Sequence, residues 1–335
     1  MADTYKTLVA TSYSTDFREA AEIVEEERPT PGPHEVLVQN HYAAVNATDV
    51  NITAGRYTAG TELPIPLGVE AAGVVVETGE KVKQLSPSDA VVTSTLGGGY
   101  REYNLVPESD AIQVPEASPE ALSIMVSGLT ASIALQEVGD VQHDDTVLVT
   151  AAAGGTGQYA VQLAQITGSH VIGTCSTDRK AAFLEELGCD QPINYMTEDV
   201  GEVLAEEYPD GVDLVYEAVG GPLFDTCVEH LARHGRLLSI GYVSEYEDGP
   251  SPVTAKRIYT SLIPKSASIH GFFLPHFARH FSSHVKRLMR MQGSGELDVL
   301  IDDRRFEGVE AVPDAVEYLQ SGESMGKVVV QFNDG

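Results

Sequence analysis

Glycines at a fixed spacing follow a short β-branched run near the middle of the chain. The run Thr146–Val149 leads through small residues into Gly155-x-Gly157-x-x-Ala160. In this G-x-G-x-x-G/A pattern the small residues allow a tight turn, close approach of the backbone to a pyrophosphate, and close packing of helix on strand. The free N–H groups at the start of the next helix then face the anion. The motif predicts dinucleotide binding, although glycines at this spacing can also form a turn alone.

The residues after the glycines complete a β–α–β unit. Apolar positions from Ala160 to Ile166 trace one face of a helix, and Gly168 is expected to end it. His170–Thr174 then has the composition of a second strand. Strand, glycine loop, helix and strand within about 30 residues form the unit that binds dinucleotides. This context favours dinucleotide binding over a simple turn.

The end of the second strand indicates which dinucleotide is bound. Enzymes that use NAD tend to place Asp or Glu about 20 residues after the glycines, where it binds the ribose 2′-hydroxyl. This chain has Ser176 there, followed by Thr177 and by Asp178-Arg179-Lys180. Hydroxyls and cations suit a 2′-phosphate, whereas Asp178 can simply favour a helix N-terminus, with Ser176 or Thr177 as the N-cap. We therefore predict NADPH rather than NADH.

Two kinds of sequence surround these motifs. Short strands separated by Gly and Pro, from Lys6–Thr11 to Arg101–Val106, predict a β-rich, partly open barrel of about 115 residues. A helix is expected from Ser118 as N-cap with Pro119 in its first turn, and strands and helices then alternate as in a doubly wound parallel sheet. After a last strand at Ser268–Leu274, the final segment is expected to pack back on the first domain, because a lone helix and strand cannot bury themselves.

The composition restricts the class of partner. The 335 residues include 50 Asp and Glu against 21 Lys and Arg, which gives a formal net charge of −29. Such a surface repels nucleic acid and anionic membranes. The acidic residues are spread along the chain, which suggests a halophilic protein whose self-repulsion is screened in a salt-rich cytoplasm. The three cysteines, Cys175, Cys189 and Cys227, are too few for a disulfide framework or a four-cysteine zinc site and are expected to be buried.

Neither a signal peptide nor a membrane span is expected. The N-terminus lacks a basic region followed by an apolar block. The most apolar stretch, Ala121–Leu135, is shorter than the roughly 18 residues that a span requires and is interrupted by Gly, Ser and Thr. A cytoplasmic protein is predicted.

Together the motifs resemble the medium-chain dehydrogenase/reductase superfamily over essentially the whole chain. The chain is most similar to its zinc-free quinone oxidoreductase and enoyl-reductase branch, and there to the prostaglandin reductase-3 type. The segments that carry the resemblance are Val45–Asn51, Ala54–Tyr57, Val126–Ala131, Val149–Gln158, Gly173–Ser176, Gly188–Asp190, Pro192–Tyr195 and Gly271–Leu274.

The resemblance implies an α/β protein with a β-rich GroES-like domain and a Rossmann domain, assembled as a homodimer. The expected boundaries are 1–118 for the catalytic GroES-like domain, 119–267 for the dinucleotide-binding domain, and 268–335 for the last Rossmann strand and the return to the catalytic domain.

The positions of zinc ligands differ from those of zinc-dependent relatives. Where such relatives carry Cys this chain has Asn46, and where they carry Gly-His-Glu it has Gly68-Val69-Glu70. A catalytic zinc needs three protein ligands and an open position. No metal is therefore expected, and Glu70 is left as a structural acid or as a partner for a nearby cation.

Without zinc, hydrogen bonds or the cofactor ribose hydroxyl must polarise the substrate carbonyl. Asn46, Asp49 and Tyr57 match family positions that line the pocket beneath the nicotinamide: Asn46 offers amide donors, Tyr57 a phenol, and Asp49 is expected to orient its neighbours rather than to titrate. Asn51 stands where some relatives have Tyr, so proton delivery is expected to differ in detail. The alternatives without a catalytic role are that Asn46 and Asp49 only shape a loop and that Tyr57 only packs at the rim of the pocket.

The resemblance also implies contacts with NADPH. The expected contacts are Thr130 near the nicotinamide, Gly154, Gly155, Thr156 and Gly157 around the pyrophosphate, Ser176, Lys180 and Tyr195 around the 2′-phosphate, and Gly241, Tyr242, Phe272, Phe273 and Leu274 beside the nicotinamide ribose and carboxamide. Lys180 could instead be a solvated helix residue, and Phe272 and Phe273 could be core residues.

The predicted reaction is reduction of an α,β-unsaturated ketone or aldehyde. Hydride passes from C4 of NADPH to the β-carbon, and water or Tyr57 protonates the resulting enolate at the α-carbon. A quinone reductase with the same cofactor, a zinc alcohol dehydrogenase, and a cofactor-binding protein without turnover remain as alternatives.

Overall fold

A computed structural model gives the fold as two compact units. The described residues are 4–250, 252–253 and 256–332. The first unit comprises Met1–Val126 with Leu300–Gly335, and the second comprises Ser127–Val299. The expected boundaries are 118/119 and 267/268, and the last Rossmann strand expected after residue 267 pairs within the second unit as Ser268–Gly271.

Strands form two sheets in the first unit and the central sheet of the second. The strands are β1 Thr4–Ala10, β2 Ala21–Glu27, β3 Glu35–Ala44, β4 Ile65–Pro66, β5 Ala71–Thr78, β6 Ala90–Thr93, β7 Tyr103–Pro107, β8 Ala111–Gln113, β9 Thr146–Val149, β10 His170–Cys175, β11 Gln191–Asn194, β12 Val212–Glu217, β13 Leu231–Ser239, β14 Ser268–Gly271 and β15 Val329–Gln331.

The α-helices are mostly short in the first unit and longer in the second. They are α1 Phe17–Ala20, α2 Thr48–Thr53, α3 Pro119–Ser123, α4 Leu129–Ile133, α5 Gly157–Thr167, α6 Asp178–Glu186, α7 Val200–Glu207, α8 Gly221–Glu229, α9 Tyr259–Lys265, α10 Phe281–Gly293 and α11 Val312–Gln320. Two π-helical segments, Ile124–Gly128 and Ala134–Val138, follow α3 and α4.

The long strand β3 organises the first unit. One half of β3 pairs with β7 and the other half with β15, while β5, β6 and β8 continue the sheet from its other edge. A smaller sheet has the order β2-β1-β4. Val36, Val38, Val75, Val91 and Val106 form a buried cluster, as alternation on half-buried strands requires. The β-rich domain is confirmed, and the pairing of β15 with β3 confirms that the end of the chain returns to it.

The second unit has the predicted doubly wound parallel sheet. Its strand order is β11-β10-β9-β12-β13-β14, and every pair is parallel. The order reverses between β9 and β12, the topological switch point at which such sheets bind ligands beyond the carboxyl ends of their strands. Leu148, Ile172, Val215 and Leu237 from four of these strands share one buried core.

The helical stretch before β9 begins where the sequence predicts it. Consecutive α- and π-helical segments run from Pro119 to Val138, and by length and mean hydropathy alone this stretch could cross a membrane. The expectation that it is too short was therefore wrong. However, 72% of its most apolar window is buried inside the protein, as in the core helix of a globular protein. Ser118 is its N-cap, as predicted, and accepts a hydrogen bond from Ala121 N.

Candidate active site

Asp49 lies fully buried in the first turn of α2. Its Oδ2 accepts hydrogen bonds from the backbone N–H of Asn46 at 2.8 Å and from the Tyr100 hydroxyl at 2.5 Å. Within the described residues its Oδ1 is buried without a hydrogen-bond partner. Burial raises the pKa of Asp49 to about 7, although the hydrogen bonds from Tyr100 and Asn46 and the charge of Lys327 oppose the shift. The carboxylate of Asp49 thus holds the backbone of Asn46 in place.

A buried ion pair lies beside Asn46. Lys327 Nζ is 2.9 Å from Glu70 Oε1, and the two side chains are 3% and 0% exposed. The same ammonium donates to Asn46 Oδ1 at 2.7 Å. Glu70 Oε2 accepts from the backbone N–H of Val126 at 2.9 Å. Because both charges are paired and hydrogen-bonded, the cost of burying them is offset.

The amide of Asn46 is fully engaged by these groups. Its Nδ2 donates to Glu70 Oε1 at 2.9 Å and to the Ala44 carbonyl at 3.2 Å. An amide has two donor hydrogens, so none remains for a substrate carbonyl. A flipped amide would set its NH₂ against the ammonium of Lys327 and its oxygen against the carboxylate of Glu70. In this arrangement Asn46 positions its neighbours and is not the donor that the sequence suggested.

The same groups do not fit a catalytic zinc. A zinc ion needs three close protein ligands, whereas this position offers the amide of Asn46 and the carboxylate of Glu70. The ammonium of Lys327 already lies within hydrogen-bond distance of both oxygens. A dication would have to displace this buried cation. Glu70 is thus the partner of a cation, one of the two roles left open for it.

Sequence reasoning missed Lys327. Its signal was a single lysine at the start of the apolar closing strand, Gly326-Lys327-Val328-Val329. A lysine at a position that must be buried needs a buried acid as a partner, and Glu70 was already noted as an acid without its usual metal.

Tyr57 lies at the end of a short polar chain of hydrogen bonds. Arg56 Nη1 donates to Asn51 Oδ1 at 2.8 Å, and Asn51 Nδ2 lies 3.4 Å from the Tyr57 hydroxyl, to which it donates. Asn51 is fully buried, whereas Tyr57 is 46% exposed. The positive φ of Gly55 makes the turn that brings Arg56 and Tyr57 back over α2. The structure therefore joins Asn51 and Tyr57, and half of the phenol remains accessible.

In the second unit the glycine loop joins β9 to α5. A Cβ on Gly157 would lie 2.4 Å from the Ala151 carbonyl and 2.6 Å from the Ala152 carbonyl, so only glycine fits there. Gln158 N donates to Gly154 O and Ala160 N to Thr156 O, which begins the helix within the motif. Gly168, with φ of 93°, ends α5 as predicted.

Three predicted cofactor residues lie just beyond the carboxyl ends of the neighbouring strands β10 and β11. Lys180 Nζ is 3.4 Å from Ser176 Oγ, and Tyr195 follows β11 with 49% of its surface exposed. Thr177 is the N-cap of α6, because its hydroxyl accepts from Lys180 N. Asp178 accepts from Asn194 Nδ2 at 2.7 Å, so its carboxylate is held by an amide and the hydroxyl and ammonium of the neighbouring residues can receive an anion.

Most of the remaining cofactor candidates follow the carboxyl ends of β13 and β14. Phe272 is 9% exposed and stacks on Phe277 with centroids 4.8 Å apart, whereas Phe273 is 40% exposed. Phe272 is therefore mainly a packing residue. Of Phe272 and Phe273, only Phe273 has an accessible ring. The other predicted positions in this unit are Gly155, Gly241 and Tyr242 in loops, Leu274 at the start of the 3-10 helix Leu274–His280, and Thr130 in α4.

Glu217 is a buried acid that the sequence analysis did not single out. It ends β12 next to the switch point, and its Oε1 accepts from the backbone N–H groups of Val219 and Gly220 at 2.7 and 2.9 Å. Burial raises its pKa, against these hydrogen bonds. The sequence feature that could have indicated Glu217 is an acidic residue at the end of the mostly apolar strand β12. Glu217 holds the turn that follows β12.

Comparisons with known proteins agree with this geometry. Residues 32–116 match the alcohol dehydrogenase GroES-like domain and residues 155–294 match the zinc-binding dehydrogenase family. The chain is 44% identical to prostaglandin reductase-3 of Mus musculus, covering 98% of this chain and 90% of the relative. It is 42% identical to a probable quinone oxidoreductase of Leishmania amazonensis, covering 98% of each. The Escherichia coli quinone oxidoreductase complexed with NADPH superposes with a TM-score of 0.85 at 27% identity, covering 97% of this chain and 99% of that one.

Proposed function

Since the chain belongs to the medium-chain dehydrogenase/reductase family, with an alcohol dehydrogenase GroES-like domain and a zinc-binding dehydrogenase domain, we propose that it is an NADPH-dependent reductase of the C=C bond in α,β-unsaturated ketones and aldehydes. The observation that carries this function is the identity of 44% and 46% to prostaglandin reductase-3 of two mammals, over nearly the whole chain. The proposed substrate class is enones and alkenals in general, rather than a prostaglandin.

NADPH is the cofactor of this reaction. Solved relatives at 27% and 28% identity are complexed with NADPH. In this chain Ser176, Lys180 and Tyr195 are suited to a 2′-phosphate, and Asn194 engages the acid that could otherwise repel it. The backbone at Gly154–Gly157 receives the pyrophosphate at the start of α5.

Bound NADPH supplies the hydride that adds to the β-carbon of the substrate. The chain then has to stabilise an enolate and protonate it at the α-carbon. Tyr57 is the proposed proton donor, because its hydroxyl accepts a hydrogen bond from Asn51 and such a bond stabilises the phenolate left behind. Asp49 and Asn46 are proposed as residues that hold α2 and its surroundings in place. Most of the acceleration should come from orientation and from fixed donors.

The reaction is proposed to be independent of zinc, because Lys327 engages the oxygens of Asn46 and Glu70. Turnover with NADPH is therefore expected to survive exhaustive chelation. Loss of activity on chelation, with recovery on adding Zn²⁺, would favour a zinc alcohol dehydrogenase instead.

The decisive experiment compares substrates with one preparation of the enzyme. NADPH and NADH are first titrated, and steady-state rates are then measured on a series of enones and a series of quinones. The proposal requires tighter binding of NADPH and a higher kcat/KM on enones. Higher values on quinones would support the second candidate, quinone reduction, which the 42% identity to a probable quinone oxidoreductase favours. NADPH binding without oxidation across a broad enone panel would indicate a protein without turnover.

A homodimer is proposed for the assembled protein, acting in the cytoplasm. Within the described residues β14 pairs only with β13, so its other edge offers unpaired backbone groups at the end of the sheet. A second copy could continue the sheet from this edge. Light scattering coupled to gel filtration measures the mass, and a monomer at micromolar concentration would contradict the proposal.

A further inference from the structure

Two histidines and a glutamate, none of them assigned to catalysis or to cofactor binding, meet in the second unit. Glu137 lies in the π-helical segment that follows α4, His280 is the residue before α10, and His284 lies one turn further in α10. Their side chains are 36%, 20% and 5% exposed, in that order. The cluster is thus partly shielded but open to solvent on the side of Glu137.

The spacing of these groups is close to that of a metal site. Glu137 Oε1 is 3.2 Å from His284 Nε2, and Glu137 Oε2 is 3.4 Å from His280 Nδ1. The candidate ligand atoms of the three residues all lie within 4.8 Å of one another. In a tetrahedral site with bonds of about 2.1 Å, neighbouring ligand atoms are about 3.4 Å apart. The two contacts of Glu137 use different carboxylate oxygens, so binding one ion requires the side chains to move until one ligand atom of each residue lies this close to the others.

Ser132 gives His284 the support that metal-binding histidines usually have. Its Oγ lies 2.8 Å from His284 Nδ1, the ring nitrogen opposite the one that faces Glu137. A histidine that binds metal through one nitrogen donates a hydrogen bond through the other. Because a serine hydroxyl both donates and accepts, Ser132 can serve His284 with or without metal.

Two arginines compete with a cation at this cluster. Arg279 Nε donates to His280 Nε2 at 2.8 Å, which holds the ring in the tautomer that carries its hydrogen on Nδ1. A metal on Nδ1 would require the other tautomer, so Arg279 must swing away, and its side chain is exposed. The positive charge of Arg287 also acts on His284. These charges weaken metal binding without blocking the ligands.

We propose that Glu137, His280 and His284 form a binding site for a transition-metal dication of the Zn²⁺ or Co²⁺ class, with the fourth position left to water. Two imidazoles and one carboxylate are a donor set that such ions accept. The ion would link α10 to the segment Ala134–Val138 and stabilise the second unit. This site is independent of the proposed reaction, since none of its ligands is assigned to it.

The test titrates metal-free wild-type protein with Zn²⁺ by calorimetry and with Co²⁺ by visible absorption. We expect saturable binding of one equivalent, d–d bands of low-symmetry cobalt, and a higher melting temperature with Zn²⁺. His280→Gln and His284→Gln should each weaken binding at least about tenfold, as loss of one of three ligands requires. Arg279→Gln should tighten it, because it removes both a competing hydrogen bond and a positive charge.

His143→Gln is the matched control, because His143 contacts Asp144 on an exposed part of the same unit and, within the part of the chain that the structure describes, belongs to no such triplet. It should bind the metals as the wild type does. The inference fails if wild type shows no saturable binding, or if both ligand variants, folded by circular dichroism, bind as tightly as wild type and His143→Gln.

Discussion

At the scale of single residues, burial and charge decide which polar groups of the first unit are available for chemistry. Lys327 and Glu70 satisfy both ends of the Asn46 amide. Asp49 is fully buried, while Tyr57 is about half exposed and receives a hydrogen bond from Asn51. The residue types alone made Asn46 the natural donor to a carbonyl. Their contacts leave Tyr57 as the accessible hydrogen-bonding group.

Tyr57→Phe should lower kcat on enones roughly 100-fold, the lower end of what a positioned general acid contributes. The KM for NADPH should change little, because Tyr57 is not among the proposed cofactor contacts. Asn51→Leu, which keeps the phenol but removes its hydrogen-bond donor, should give a smaller loss. Tyr259→Phe, at an exposed tyrosine of the second unit, serves as the control. Unchanged kcat in Tyr57→Phe would assign the proton to water.

Asp49 should make the stability of the protein depend on pH. Its pKa is raised from 3.8 to about 7 by burial, so the folded protein holds a proton that the unfolded chain has already lost. The contribution of Asp49 to the free energy of unfolding is therefore most favourable at low pH and is lost as pH rises from about 4 to about 7. Since one pKa unit is about 1.4 kcal/mol, wild type should lose more than about 1 kcal/mol relative to Asp49→Asn between pH 5 and pH 8. Denaturant unfolding of both proteins measures this, and parallel pH curves would contradict it.

The buried ion pair should behave as one unit. Lys327→Met leaves Glu70 charged and unpaired in the interior and should cost about 3–5 kcal/mol of unfolding free energy. Adding Glu70→Gln should recover much of that loss, because the remaining groups are neutral. Lys6→Met is the control, because it removes an exposed pair with Glu310 and should cost much less unfolding free energy than Lys327→Met. Equal losses in the single and double variants, measured by urea unfolding, would argue against this coupling.

At the scale of secondary structure, the glycine loop depends on the approach of α5 to the end of β9. The helix begins within the motif, and Gly157 lies against two backbone carbonyls. The neighbouring elements place Ser176 and Tyr195 at the same edge, because β10 and β11 are parallel and adjacent. A change at one glycine therefore affects both the fit of the helix and the cofactor edge.

Gly157→Ala should destabilise the second unit and weaken NADPH binding, because its new methyl group would meet the carbonyls of Ala151 and Ala152 at 2.4 and 2.6 Å. The cost should be on the order of 1–3 kcal/mol, as for overpacking elsewhere. Gly154→Ala is the comparison in the same loop, since the nearest atom to its added Cβ would be 3.3 Å away. Thermal unfolding without cofactor separates the two effects. A melting temperature equally low in both variants would contradict the argument from close approach.

At the scale of the whole molecule, the excess of acidic over basic residues should determine how stability depends on salt. The net charge is −29, and on the edge strand β2 three exposed glutamates, Glu22, Glu25 and Glu27, follow one another closely. Like charges at such spacing repel one another, and the repulsion falls as salt shortens the Debye length. We propose on this basis that the protein is adapted to high salt.

The melting temperature should rise as KCl is increased from low to molar concentration, by several degrees, because screening removes repulsion that is larger in the compact state. Sucrose at equal water activity controls for exclusion effects that do not depend on charge. A melting temperature that is unchanged from low to molar KCl would contradict the proposed adaptation.

The sequence by itself determined the local features of this protein. The glycine spacing, the alternation of strands and helices, the Thr177 cap and the missing zinc ligands each depend on residues close together in the chain. Even so, α2 was missed, because Thr48–Thr53 is rich in β-branched and polar residues with low helix propensity, and its surroundings hold it helical.

Only the tertiary structure decided which groups face each other. Lys327 and Asn46 are 281 residues apart, His284 and Glu137 are 147 apart, and Tyr100 and Asp49 are 51 apart. No local pattern records such pairs, because each depends on how strands and helices from distant parts of the chain pack. Packing also removed water from Asp49, Glu70 and Lys327, and loss of water gives a buried charge its altered pKa or its obligatory partner. Residue types could suggest these side chains as candidates, but the fold set their burial and their hydrogen bonds.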